Sequence, residues 1–397
     1  WLAGVAWGAY HFYQVSVWGW LNSLLLAPLV WLVLVLGLIK TVLGAIWPGL
    51  GAPLGTPLAW ITDLLIQTVR LLSRLPGSPL PPMHAGAPGV AAFTGILAVW
   101  LLRGWLRLPV RVLWIGTLGF AIVAAWRMAP PGRTGELRID ILPVGSGSAH
   151  LIRLPGGQTL LYDAGARPPY DIQRWTLGPL MACENLYQID ALLLSHPDLD
   201  HFSAVPDVLD RVRVRGVITS EPFADLSPRG TPSGRLVGEL RSHALPWRTI
   251  HAGQALSGTG PARIECLWPP PADELPLTLN PNDSSLVLRV SCHGRRILLC
   301  GDIEDYAQRR LIQESDLRAD VLILPHHGAV TPYTGWFIEA VGPTWCIRSS
   351  GQRDADTRGR LRHAVAGLQY LNTADHGNIT ITVRRDGLSV RPARLAR

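Results

Sequence analysis

Hydrophobic positions follow two different rhythms along the chain, and the change falls near residue 129. Before it, apolar residues come in long unbroken runs; after it, they come in short bursts separated by polar turns. Leu24 to Ile39 carries no charge before Lys40 and continues in apolar residues to Trp47, enough for one tilted membrane span. Pro28 and Gly37 inside that run are tolerated in lipid-embedded helices. Ala87 to Leu102 and Val112 to Trp126 form two further runs of this kind. Leu58 to Leu75 is different: Asp63, Arg70 and Arg74 interrupt it, and its apolar positions recur at helical spacing. That pattern predicts an amphipathic helix at an interface or within a bundle.

Ala129 to Gly135, reading APPGRTG, is a proline- and glycine-rich break that separates residues 1–128 from residues 136–397. Beyond it, strands are expected at Leu137 to Leu142, His150 to Leu154, Thr159 to Tyr162, Ala191 to Leu194, Val214 to Thr219, Ser285 to Val290, Arg296 to Leu299 and Val321 to Leu324. Helices are expected between them at Arg174 to Cys183, Phe202 to Arg211, Arg235 to His243, Asp305 to Glu314 and Arg358 to Leu368. Strands alternating with helices indicate an α/β domain of layered sheets.

Composition sharpens this division. Residues 1–128 contain a single acidic residue, Asp63, and most of the tryptophans, so the two parts are built for different solvents. Three long runs with tryptophans near their ends weigh against buried helices of a soluble protein. Arg103, Arg107 and Arg111 lie in the short connection between the last two runs and mark it as cytoplasmic, so the chain emerges near Arg127 on the opposite side. Trp1 opens inside an apolar stretch without a basic leader, the pattern of a piece of a longer protein rather than of a signal peptide. The net charge of +7 rests almost wholly on arginine, because Lys40 is the only lysine; arginine bias of the genome explains it as well as phosphate or lipid partners do. No phosphate-loop lysine motif exists, which weighs against an ATP-driven motor within the chain. The five cysteines are widely spaced and form no zinc-knuckle or thioredoxin pair, and Cys300 reads as a small core residue.

Candidate chemistry begins where the apolar strand ending at Ser195 runs into His196, Pro197, Asp198, Leu199, Asp200 and His201. Alternate residues of an extended stretch share a side, so His196, Asp198 and Asp200 face one cavity and His201 turns into it at a helix start. Carboxylates this close repel unless a cation lies between them. A helix cap would use Asp200 without a metal, and a calcium loop would need a glycine and a distal glutamate that are missing. Three more polar clusters follow apolar strands: Asp163-Ala164-Gly165, Gly301-Asp302 and His326-His327-Gly328. Polar clusters repeated at strand ends are what a site at one sheet edge requires. His150, His251, His293 and His376 read instead as surface residues in turns or at strand ends.

These motifs, with Asn282-Asp283-Ser284-Ser285-Leu286-Val287 between them, resemble the metallo-β-lactamase domain of the ComEC family, the DNA-uptake channel proteins of naturally competent bacteria. His11 to Ser16, Asn22 and Pro28 resemble that family's last membrane segments, so the likeness covers nearly the whole chain. The resemblance implies an αββα metallo-β-lactamase-like sandwich preceded by α-helical transmembrane segments, in an inner-membrane, multi-pass protein with an extracytoplasmic C-terminal domain. It implies two divalent metal ions: one held chiefly by His196 and Asp198 with Asp283 as third ligand, the second by Asp200 and His201, bridged by Asp302 and completed by His326. The aspartates favour manganese over zinc. Asp200 would orient a metal-bound water, and His327 would protonate the leaving oxygen or support the metal shell. The implied activity is cleavage of one strand of incoming DNA, with single-stranded DNA, the membrane, other uptake components and further copies of the chain as partners. A binding module without turnover, or a hydrolase of another phosphodiester such as an envelope choline-phosphate ester, stands as the alternative. Pro143-Val144-Gly145-Ser146-Gly147-Ser148-Ala149 departs from the family's Asp-Val-Gly-Gln-Gly-Asp-Ala: the glycines remain and both acids are gone.

Overall fold

The computed structural model describes residues 2–12, 15–16, 18–75, 86–127, 135–276, 278–352 and 359–394. The chain divides into two compact units, Trp1–Ala129 and Pro130–Arg397. Most of the Ala129 to Gly135 stretch, and Tyr13 and Gln14 of the His11 to Ser16 motif, lie outside the described residues.

The first unit is helical. Gly19–Ile46 and Gly86–Leu106 are long and apolar enough to cross a membrane, and Val110–Arg127 follows as a shorter apolar helix. Leu2–Phe12, which the hydrophobic pattern did not mark, is also helical. No side chain of Gly19–Ile46 is buried, and Trp31, Leu34, Leu38, Trp105, Ile115 and Leu118 are all more than half exposed. A soluble monomer does not leave so continuous an apolar exterior to water. The last two helices are tied by the Trp100 indole, which donates to Thr117 Oγ1 at 2.9 Å and lies edge-on to Trp114. Gly55–Ser73 covers the expected amphipathic segment.

The second unit is an αββα sandwich. One sheet runs, edge to edge, Gly387–Pro392, Ile379–Arg384, Leu137–Ile141, His150–Arg153, Thr159–Tyr162, Ala191–Leu194, Val217–Ser220 and Trp247–Ile250. The other runs Gln369–Asn372, Trp345–Arg348, Val321–Ile323, Arg295–Leu299, Val287–Cys292 and Arg263–Trp268. Within each sheet one part is antiparallel and the other parallel. Strict alternation along the central strands builds three apolar layers. Leu160, Tyr162 and Leu193 join Leu288, Ile297 and Ile323 between the sheets. Leu161, Leu192 and Leu194 face outward onto Val205, Val208 and Leu236. Leu298, Leu322 and Cys346 face outward onto Leu311, Phe337 and Val341. Strands that bury both faces read as continuous apolar runs, which is why these were visible in the sequence.

The departures have local causes. The expected helix at Phe202 to Arg211 is two helices, Leu199–Phe202 and Val205–Arg211, with Pro206 in the first turn of the second. The expected helix at Arg174 to Cys183 begins as a wide π-type turn, Gln173–Leu177, before Gly178–Cys183. The helix expected over Arg358 to Leu368 spans only Arg360–Ala364 among the described residues. His150 is not a surface residue: it is 2% exposed and stacked on Tyr162, because its strand is interior to the sheet. Burial pushes its imidazole down to about 4 and keeps it neutral.

Asp140, fully buried, holds the antiparallel part of the first sheet to the final strands. It accepts from Thr380 Oγ1 at 2.6 Å and Asn378 Nδ2 at 3.2 Å, and pairs with Arg153 at 2.9 Å and Arg138 at 3.1 Å. Burial alone would raise its pKa, but the Thr380 hydroxyl and the two guanidinium groups outweigh it and lower the carboxyl below its ordinary value. A carboxyl lowered on folding stabilises the fold above the unfolded pKa, and that contribution is lost as the pH falls through the folded value. Asp140→Asn is expected to cost about 2 kcal/mol, because a buried carboxylate's charge-assisted bonds to Arg138, Arg153 and Thr380 are weakened while Glu184 still pairs both arginines. Thermal unfolding of the full chain in detergent, followed by β-sheet circular dichroism, checks this; the deficit should be present at neutral pH and shrink below the carboxylate range.

Candidate metal centre

The polar clusters stand at the carboxyl ends of strands, where an α/β sheet presents its loops. Thr159–Tyr162 ends at Asp163, Ala191–Leu194 at Ser195 and His196, and Arg295–Leu299 three residues before Asp302. Gly165 lets the Asp163 loop lie flat on this site, since a Cβ there would collide with the carbonyl carbon of Asp200 and the amide nitrogen of His201. Gly301, at φ +54°, turns the second sheet's strand end toward Ser285 and Tyr162, a conformation that favours glycine. The Asp302 amide then donates to Ser285 Oγ at 3.0 Å.

Asp163 organises the first half of the site. Its two oxygens accept the Ser195 amide and hydroxyl, both at 2.8 Å, and the His201 Nδ1 proton at 2.7 Å. The Ser195 hydroxyl in turn lies 3.0 Å from His196 Nδ1 and accepts its proton. On the other side, His327 Nδ1 donates to the Ser349 carbonyl at 3.0 Å, while Arg348 Nε donates to the His327 carbonyl at 2.8 Å. His326 and His327 both adopt positive φ, +45° and +52°, a strained backbone that these contacts hold. With each Nδ1 committed as a donor, the Nε2 atoms of His196, His201 and His327 point inward. All three are buried and have no hydrogen-bond partner.

Those nitrogens meet carboxylates. His201 Nε2 is 3.2 Å from Asp302 Oδ1, and His327 Nε2 is 3.4 Å from Asp302 Oδ2 and 3.8 Å from Asp200 Oδ2. Ligand atoms of His196, His201 and Asp302, and of Asp200, His201 and His327, converge within 4.8 Å in each group. Asp198 Oδ2 stands 3.7 Å from His196 Nε2 at the exposed mouth. Ring nitrogens facing carboxylate oxygens across such distances need positive charge between them, which a proton or a metal cation supplies. Burial alone would lower the His201 pKa and raise that of Asp302. Asp302 and Asp163 instead hold His201 well above its ordinary value, and His201 and His327 hold Asp302 well below. The residues present therefore fit a divalent ion: unpartnered imidazole nitrogens, buried carboxylates, and second hydrogen bonds that fix each ring.

Two of the named residues occupy other places. His326 turns outward, its Nδ1 3.0 Å from Glu304 Oε1 and its Nε2 3.9 Å from Asp302, so that His327 rather than His326 stands inside the cluster. Asp283 spends one oxygen on the amides of Glu304 and Ala307, at 2.7 and 3.2 Å, at the start of helix Asp305–Glu314, and is absent from both groups. Its site in the fold is a helix end, where a buried carboxylate satisfies free N–H groups. Conversely, neither Asp198 nor Asp200 serves as such a cap for Leu199–Phe202; Asp200 instead accepts Arg167 Nε at 2.9 Å. Asp163, Ser195, Arg167 and Ser349 were not singled out as site residues from the sequence. Only Asp163 carried a signal there, as the first residue of a strand-end cluster.

Residues 142–344 match the family described as the metallo-beta-lactamase superfamily, and residues 2–108 match the family described as competence protein. The chain is 24% identical over 306 residues to the uncharacterized protein YcaI of Escherichia coli (strain K12), covering 75% of this chain and 36% of that protein. It is 24% identical over 380 residues to competence protein ComA of Neisseria gonorrhoeae, covering 86% of this chain and 50% of that protein. It thus spans about a third to a half of the length of these relatives. Among solved structures, the metallo-beta-lactamase fold protein YhfI from Bacillus subtilis is similar at 15% identity and a TM-score of 0.40, over 59% of this chain and 95% of that one. The superfamily's fold implies divalent metal ions and metal-dependent hydrolysis, which the donor set suits in kind. The chain belongs to the metallo-beta-lactamase superfamily and carries that domain behind a competence-protein segment, the pairing of the ComEC family.

Proposed function

We propose that this chain is the C-terminal part of a DNA-uptake membrane protein whose sandwich domain is a two-metal phosphodiesterase cutting one strand of incoming DNA. The observation that carries this reading is the meeting of three unpartnered imidazole nitrogens with Asp302 and Asp200. His196, Asp198 and Asp302 would hold one ion, and Asp200, His201, His327 and Asp302 the other, with His327 in the place first assigned to His326. Oxygen donors from three aspartates favour manganese, with zinc as the competing occupant. Bound there, such ions supply a water of lowered pKa and charge stabilisation for a phosphodiester.

The protein's own residues do the rest. Asp163 and Ser195 occupy Nδ1 of His201 and His196, so that Nε2 is the ring atom each would turn to a metal. Asp200 stands where it can orient an attacking water. The second residue of the histidine pair, fixed by Ser349, is committed as a support of the cluster rather than as a free proton donor. In the membrane part, Arg103, Arg107 and Arg111 around the turn between the last two helices support a cytoplasmic turn, under which Val110–Arg127 would return the chain to the extracytoplasmic side, where DNA arrives.

A second reading, binding without turnover, draws on the neutral loop Pro143 to Ala149. The full chain in detergent, given manganese and a labelled single strand, separates the two. Under the first reading it binds more than one equivalent of metal and cuts the strand, and chelation abolishes cutting. Well under one equivalent of any transition metal favours the second.

Asp302→Ala should abolish cleavage and lower metal content, while retaining the fold by circular dichroism. Asp163→Asn should reduce metal affinity or activity by about 10- to 100-fold through misoriented histidines. His327→Ala should lose far more activity and metal than His326→Ala; the reverse order would return the ligand role to His326. Equal cutting by wild type and Asp200→Ala would end the nuclease reading.

A further inference from the structure

The segment from Arg167 to Leu177, which leaves the metal centre, is exposed on a face that no metal role explains. Its first residue, Arg167, pairs with Asp200 through Nε at 2.9 Å while about two-thirds of its side chain faces solvent. Trp175 is 62% exposed, with the Arg174 guanidinium 4.8 Å from its ring centre. Tyr170 is also exposed, its hydroxyl 2.7 Å from Thr176 Oγ1 and 3.3 Å from the Pro143 carbonyl. The π-type turn Gln173–Leu177 carries the outward Trp175, and the buried side-chain amide of Gln173 beside it has no hydrogen-bond partner. Asp171 is the one carboxylate in the segment, and it is spent on the Arg174 amide at 2.8 Å. The segment rests on the loop that lacks acids: the Arg167 amide donates to the Ser146 carbonyl at 2.8 Å.

From this the geometry points to a strand-binding platform: Trp175 and Tyr170 stack bases of an extended single-stranded nucleic acid, and Arg167 and Arg174 hold its phosphates beside the metal centre. A flat indole held by a neighbouring guanidinium offers a π-face to any base without reading its edge. Arg167 reaches from that face to Asp200, so a phosphate bound to its free guanidinium nitrogens lies next to the cluster. The platform rests on the phosphodiesterase reading of the adjoining centre, and it implies little dependence on base sequence.

The test uses the full chain in detergent with metal chelated, so that binding is read without cutting. Two labelled strands of equal length are compared, an oligothymidylate and an abasic deoxyribose-phosphate. Trp175→Ala should weaken oligothymidylate binding about tenfold and leave the abasic strand unaffected, while Trp175→Phe retains most of the affinity. Arg167→Gln should weaken both strands and lower the slope of log affinity against log salt by about 0.7. Equal binding by wild type and Trp175→Ala, or an equal loss on both strands, overturns the platform. So does Trp175-dependent binding to phosphatidylglycerol vesicles with oligothymidylate unaffected, which would make this a membrane-facing surface. Manganese-dependent hydrolysis of bis(p-nitrophenyl) phosphate is measured alongside. Hydrolysis without strand discrimination removes the platform and keeps the metal centre, whereas discrimination without hydrolysis keeps the platform and removes the phosphodiesterase reading.

Discussion

A single buried carboxylate, Asp163, decides how the first half of the site is built. It takes three protons at once, from the Ser195 amide, the Ser195 hydroxyl and His201 Nδ1, and through Ser195 it also sets His196. Each bond removes a freedom that would otherwise blur the geometry: a backbone direction, a hydroxyl rotor and two ring tautomers. The apolar layers around it make those choices stringent, because a misdirected proton in a water-free setting has no alternative partner. The Gly165 contact with the Asp200–His201 backbone has the same effect on the main chain. The second half is fixed by a different device, the positive-φ pair His326 and His327 clasped by Arg348 and Ser349.

Much of this was legible in the sequence, for a physical reason. Central strands such as Ala191–Leu194 and Arg295–Leu299 bury both faces and therefore appear as apolar runs, and the chemistry sits one to three residues beyond their ends. Peripheral strands such as Trp247–Ile250, half exposed, carry no such run and were missed. The histidine pair shows the limit more sharply. Adjacent His326 and His327 are equivalent as sequence, and only the backbone conformation decides which ring turns inward. Asp283 stands at a helix terminus, a use that an acid between strands serves as readily as an ion, and the residues that define it, Glu304 and Ala307, lie some twenty positions away.

The two units reflect two solvents acting on one chain. The helices Gly19–Ile46 and Gly86–Leu106 leave their apolar side chains outside, whereas the sandwich hides its own between layers and spends its acids on arginines and histidines. Nearly all carboxylates fall in the second unit, where water can solvate them or where they have a defined electrostatic task. The neutral loop Pro143 to Ala149 fits this division of labour, since it meets the Arg167 segment through backbone carbonyls alone.

The seam between the sheets has a consequence for reading incomplete genes. His196 follows a strand of one sheet and His201 sits in the short helix after it, while Asp302 and His327 follow strands of the other, and the halves meet across the interior, where Tyr162 donates to the Leu286 carbonyl and the Leu286 amide to that of Ser195. A reading frame cut short before Gly301 would keep the recognisable Ser-His-Pro-Asp-Leu-Asp-His signature intact and yet encode half a coordination sphere. In this fold the signature marks ancestry, and chemical competence has to be judged from both sides of the seam.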